Sequence, residues 1–273
     1  MSKTLFKTLT VIASGVGAVT ICFLGFRESN QRQYRQRVEY AQTEIINTKE
    51  EILEVEKAAN TLFTDETHTF LEPAVNEEAL TTLTSTIYSI KTSAKEYGIE
   101  ETDLPKEALA IQAQKKTIEE LMNEAQAKVS IQEATAALFV DGVSDWQTSK
   151  NNVVLKEGVT EKEIGTIRES LGLFEDSSWK KAIHTHLGYA DEQLKQLKEL
   201  KKLSDSMIKE GKVTSSVTYE DYLVFLDGIA NIRNEKEKET FSAFAEQIAK
   251  QKGYETNDYG EIYNDPMMDV GMY

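Results

Sequence analysis

Three histidines are the residues whose types and spacing come nearest to chemistry. His184 and His186 stand two apart in a stretch with helical periodicity, where side chains two apart point to nearly opposite sides. A zinc pair on a helix needs a spacing of three or four, so both are expected to be solvated rather than metal ligands. His68 lies in a loop beside Asp65 and Glu66, where a surface position is the default. Two acidic loop fragments, Asp141-Gly142 with Asp145 and Asn257-Asp258 with Gly260-Glu261, lack the alternating oxygen-ligand spacing of a calcium loop. No phosphate-cradling glycine loop, no G-x-S-x-G and no Ser/His/Asp grouping is written in the chain. The residue types therefore point away from an enzyme, and no catalytic, cofactor-binding or metal site is expected.

The elements themselves are more informative. The chain has 273 residues, 40% of them apolar and 28% charged, with only three prolines and fourteen glycines. Ala, Leu, Glu, Lys and Gln dominate, residues that lose little rotamer freedom in a helix, so the fold is expected to be all-α. The net charge of −15 is uneven: residues 1–37 hold six basic side chains and one acidic. The remainder carries 25 basic against 45 acidic, a surface that repels nucleic-acid phosphates. The lone cysteine, Cys22, excludes an intrachain disulfide and a thiolate metal site.

Residues 8–26 (TLTVIASGVGAVTICFLGF) carry no charge. As a helix they would span roughly 28 Å, close to the hydrocarbon thickness of a bilayer. Their small residues come early (Ala13, Ser14, Gly15) and bulky Phe23, Leu24 and Phe26 come late, a poor A-x-A cleavage site. An uncleaved single-pass anchor is therefore expected, with 1–7 as a short cytoplasmic tail. Ala13-x-x-x-Gly17 and Ser14-x-x-x-Ala18 offer a face for pairing two copies into a homodimer. Lys3 and Lys7 favour an inward N-terminus, whereas Arg27, Arg32, Arg35 and Arg37 on the other flank pull the opposite way.

Beyond the anchor, a stalk and first long helix (27–64) carry the stripe Val38, Ala41, Ile45, Thr48, Ile52, Val55, Ala59, Leu62. Asn76 is a good N-cap for a helix through Leu80, Leu83, Ile87 and Ile90 that runs to Tyr97-Gly98. A second stripe uses Ile111, Ile118, Met122, Ala125, Val129, Gln132, Ala136 and Phe139. Residues 141–158 form the longest loop, with Trp146 expected to fold back onto a helix face. Thr160 with Glu163 has capping-box spacing, and Thr218 with Asp221 is a weaker form. A third long helix from about Trp179 uses Ile183, Leu187, Ala190, Leu194 and Leu197. A last helix presents Tyr222, Phe225, Ile229 and Ile232, then Phe241, Phe244 and Ile248.

One pattern echoes three times. A-x-x-x-L-F-x-D occurs around Leu62 and again around Leu138, each followed by a loop and a Val-Asn or Val-Thr helix start. A worn third copy runs Met207-Ile208-x-Glu210, then Val217-Thr218. Units with one narrow apolar stripe must pack on neighbours to offset the entropy of ordering. The expected array is elongated, made of small helical-bundle repeats sharing long connecting helices: repeat 1 over 65–141, repeat 2 over 142–210 and a partial repeat 3 over 211–253. Residues 254–273, acidic and rich in Tyr and Met, are expected to be a tail able to anchor a partner.

"ALFVDG…VTEKEIGTI…LFEDSSWKKAI", with its earlier copy "TLFTDETHTFLEPAVNEEALTTL", resembles the helical extracellular repeats of the MapZ family, mid-cell-anchored division proteins of streptococci and related Firmicutes. The resemblance covers about residues 50–230. It implies an N-in, C-out protein whose helical region sits in the envelope, near peptidoglycan. The family's cytoplasmic FtsZ-binding region and its wall-binding domain have no counterpart here, so architecture and location carry over and no site residue does. The resulting expectation is an outward-facing helical scaffold at the cell membrane of a Gram-positive bacterium, its partner a protein or a wall polymer. The alternatives are a cytoplasm-facing adaptor of the division machinery and a spacer in a secretion or conjugation apparatus.

Overall fold

The computed structural model describes the backbone of residues 3–148 and 150–254, and the side chains from Asn30 onward, Ser149 excepted. The described chain is mostly helical, and it divides into two compact units, Met1–Val129 and Ser130–Tyr273. No helix among the described residues is long and apolar enough to cross a membrane. The side chains of 8–26, on which the expected anchor depends, lie outside those described.

In the first unit, helix α1 (Lys3–Asn60) runs without interruption into the first expected stripe. Ala41, Ile45, Thr48, Ile52, Val55, Ala59 and Leu62 are all buried, as spacing by three and four requires. Helix α2 (Glu77–Ser89) starts where Asn76 Oδ1 accepts the Ala79 N–H at 2.9 Å. It stops eight residues short of the expected Tyr97. Glu96 accepts the N–H groups of Thr92 and Ser93 at 2.9 and 2.8 Å, and Ser93 caps the short helix α3 (Ala94–Tyr97) in a full capping box. That Ser-x-x-Glu signature starts a new helix and forces the break at Ile90. A 3-10 turn (Glu101–Asp103) leads into α4 (Glu107–Ala136), whose Ile111, Ile118, Met122, Ala125 and Val129 complete the core with α1 and α2.

In the second unit, α4 buries Ile131 and Thr135 in place of the expected Gln132 and Ala136, a one-residue shift of the stripe. Helix α5 (Glu161–Leu171) packs on α6 (Ser178–Met207), burying Ile164, Leu171, Trp179, Ile183 and Leu187. Two features differ from the expected elements. A hairpin of β1 (Ile208–Lys209) and β2 (Lys212–Val213) turns at Glu210 and Gly211, with φ of 50° and 74°. Positive φ at both central residues is the two-residue hairpin geometry that matches strand twist. The expected last helix is two, α7 (Tyr219–Ala230) and α8 (Glu235–Lys252), because the Asn234 side chain accepts the Lys236 and Glu237 N–H groups and opens a new helix.

The threefold echo has one backbone geometry. Phe63 bridges Leu71, Phe139 bridges Leu155 and Ile208 pairs with Val213, all antiparallel. Just outside each pair, Glu72, Lys156 and Thr214 donate their N–H to the carbonyls of Leu62, Leu138 and Met207, each at 2.8 Å. The intervening loops differ widely: residues 64–70, 140–154 and 209–212. A pinched loop base therefore tolerates insertion, since closure entropy grows slowly with length.

The caps of α5 and α7 are charged. The Thr160 hydroxyl and N–H hold the Glu163 carboxyl below its ordinary range, and the Thr218 N–H and hydroxyl do the same for Asp221. A carboxylate with a depressed folded-state pKa contributes stability that is complete above its unfolded value and lost as pH falls through the folded one. Thermal melts from pH 7 to pH 3 should therefore hold level to about pH 5 and decline below about pH 4. Replacing both caps, Thr160→Ala with Thr218→Ala, should flatten the fall.

Candidate functional site

The longest loop walls a cleft in the second unit. Residues 141–145, 148, 150 and 152–154 surround a cleft of about 370 Å³, with His186 of α6 also in its wall. The base of the loop is fixed from α6. Gln193 Oε1 accepts the Leu155 N–H and its Nε2 donates to the Val153 carbonyl, both at 3.1 Å. Gln193 is buried, so these bonds replace water for two main-chain groups that lack it.

The start of α8 fixes the outer strand of the same loop. Arg233 Nη1 donates to the Asn151 carbonyl at 3.0 Å and to its side-chain Oδ1 at 2.7 Å. Asn234 Nδ2 donates to the Leu155 carbonyl at 2.8 Å, and Lys236 pairs with Glu157. The loop is thus held by the copy that follows it.

The same device recurs in each copy. In the third, Gln251 Oε1 accepts the Val213 N–H at 2.8 Å and its Nε2 donates to the Gly211 carbonyl at 3.3 Å. In the first, Lys128 Nζ donates to the carbonyls of His68 and Thr69 at 2.6 and 3.1 Å. Lys128 is itself buried, paired with Glu124 at 2.7 Å and placed over the Phe63 ring. Thr69, Val153 and Gly211 each stand two residues before the bridging residue, so equivalent carbonyls are taken in all three copies.

The histidines divide as two-residue spacing requires, with a correction. His184 is exposed, but His186 is buried rather than solvated. It falls on the buried stripe of α6, where Nδ1 lies 2.9 Å from the Ala182 carbonyl. The Trp146 ring folds back over it, centroids 5.3 Å apart, as expected of that tryptophan, and Phe139 and Tyr189 stand edge-on to it. The carbonyl can only accept, so Nδ1 carries the N–H of this contact.

His68 is half-buried, with Nε2 2.8 Å from Asn60 Oδ1. Asp141 and Asp145 both line the cleft, but Asp145 serves the loop's own turn. It accepts from the Thr148 hydroxyl at 2.5 Å and from the N–H groups of Gln147 and Thr148. Those donors hold its carboxyl below the ordinary range, and the Thr67 and Thr64 donors do the same for Asp65 in the first loop. No group of three His, Cys, Asp or Glu side chains that could hold a metal occurs among the described residues. Asn257, Asp258, Gly260 and Glu261 lie outside them, as do the side chain of Cys22 and the whole of 255–273.

Comparison with known protein families, with characterised proteins and with solved structures found no match. The site's chemistry therefore rests on its own groups. They are hydrogen-bond donors and acceptors on a pinned loop, a surface able to recognise a ligand.

Proposed function

We propose that this chain is a membrane-anchored, outward-facing helical scaffold of a Gram-positive cell envelope. The observation that carries the reading is the repeated module: three loop bases of one geometry, pinned by side chains of α4, α6 and α8 in turn, support loops of very different length. Rigid helices that present variable loops are the usual basis of an interaction protein. The uncharged run 8–26 supplies the anchor, and α1 carries the chain from it into the first core. The resemblance to the MapZ extracellular repeats supports the outward orientation and a link to division or wall organisation. The loop 140–154, with its cleft, is the recognition surface for a protein or wall polymer.

A second reading has its own support. Arg27, Arg32, Arg35 and Arg37 follow the run, and basic residues on that flank favour a cytoplasm-facing adaptor of the division machinery. Protease added to intact cells separates the two, since only an outward-facing chain is cut beyond Val38.

A further inference from the structure

Helix α7 differs from its counterparts in the other two copies. Where α2 carries Glu77, Thr81 and Thr82 and α5 carries Glu161, Gly165 and Thr166, α7 carries Tyr219, Leu223 and Val224. These three are 54%, 47% and 58% exposed, and the inner face (Tyr222, Phe225, Ile229) is already buried against α6 and α8. Tyr219 and Leu223, four apart, continue into half-buried Leu226 as one stripe. Large apolar side chains clustered on one exposed helix face are ordinarily covered by a further element. Something is therefore expected to lie on the outer face of α7.

The course of the chain identifies the occupant. Gly253 ends α8 in the left-handed conformation, and the Tyr254 N–H turns back to the Ala249 carbonyl at 2.9 Å. The Tyr254 ring then lies against Tyr219 and Tyr222, centroids 5.0 and 5.2 Å away, at the N-terminal end of α7. Residues 255–273 thus begin at one end of the exposed stripe. They supply Tyr259, Ile262, Tyr263, Met267, Met268 and Val270. A helix of 12 residues is about 18 Å long, and the nineteen residues after Tyr254 reach roughly 60 Å when extended, ample to cover it. We propose that residues 255–273 dock in cis along the outer face of α7, over Tyr219, Leu223 and Val224. Both partners are acidic: α7 carries Glu220, Asp221 and Asp227, and the segment after Tyr254 carries Glu255, Asp258, Glu261, Asp265 and Asp269. The docking is apolar, and screening the like charges strengthens it.

The test uses the full chain with the photocrosslinker p-benzoylphenylalanine at position 223, and at position 250, exposed on α8, as control. After irradiation, the expected result is an intrachain adduct mapping to 255–273, several-fold more abundant from position 223 than from 250. Its yield should rise from about 20 mM to about 500 mM salt, and Val224→Asp should sharply reduce it. An adduct of dimer mass would assign the face to a second copy and overturn the proposal. Equal yields from the two positions, or no adduct within 255–273, would overturn it as well.

Discussion

Replacing Gln193 by leucine is expected to destabilise the second unit by about 1–3 kcal/mol, because the buried Leu155 N–H loses its acceptor and the Val153 carbonyl keeps only the 3.3 Å bond from Arg233. Leucine keeps the volume and the helix propensity of the site, so neither a cavity nor a weaker α6 enters the measurement. What is lost is the acceptor for the Leu155 N–H and the donor to the Val153 carbonyl. The equivalent change in the third copy, Gln251→Leu, should cost under about 1 kcal/mol, since its bonds lie in an exposed setting where water replaces them. Urea unfolding of the two variants reads the contrast. Trp146 reports on the loop, and its emission should move to the red in Gln193→Leu before global unfolding. Equal costs at the two positions would mean that burial does not govern the clamp.

The second large effect is in the core. Trp179 is fully buried in the first turn of α6, with the Phe174 ring 4.9 Å away. Trp179→Ala should cost about 3–5 kcal/mol, the sum of lost transfer energy and the cavity left behind. Phe244, 36% exposed on α8, provides the control: Phe244→Ala should cost under about 1 kcal/mol. Denaturant unfolding followed by far-UV circular dichroism measures both. A loss below about 2 kcal/mol at Trp179 would show that the site collapses around the smaller side chain.

How far the sequence discloses this fold depends on the range of the interaction. The stripe from Ala41 to Leu62 and the caps at Asn76, Thr160 and Thr218 are local patterns, and the structure contains them where spacing places them. The breaks at Ile90 and Ala230 were also local, written in Ser93-x-x-Glu96 and Asn234. The apolar periodicity runs through both points and masks them. Burial of His186 was half legible: its place beside Ile183 and Leu187 on the α6 stripe is local, whereas its cover by Trp146 comes from a loop forty residues earlier. The clamps were hidden for a related reason. A glutamine on a helix reads as a solvated face, and only the loop's return shows that Gln193 and Gln251 occupy equivalent places. The candidate cleft belongs to the same class, since its wall joins a loop to a helix more than thirty residues away.

The most direct test of the scaffold reading is protease treatment of intact cells that make the protein, probing for the region after Val38. An outward-facing scaffold predicts loss of that region, with a short membrane-associated fragment containing 8–26 left behind. Full protection in intact cells, with cleavage only after lysis, would contradict it and place the helical units in the cytoplasm.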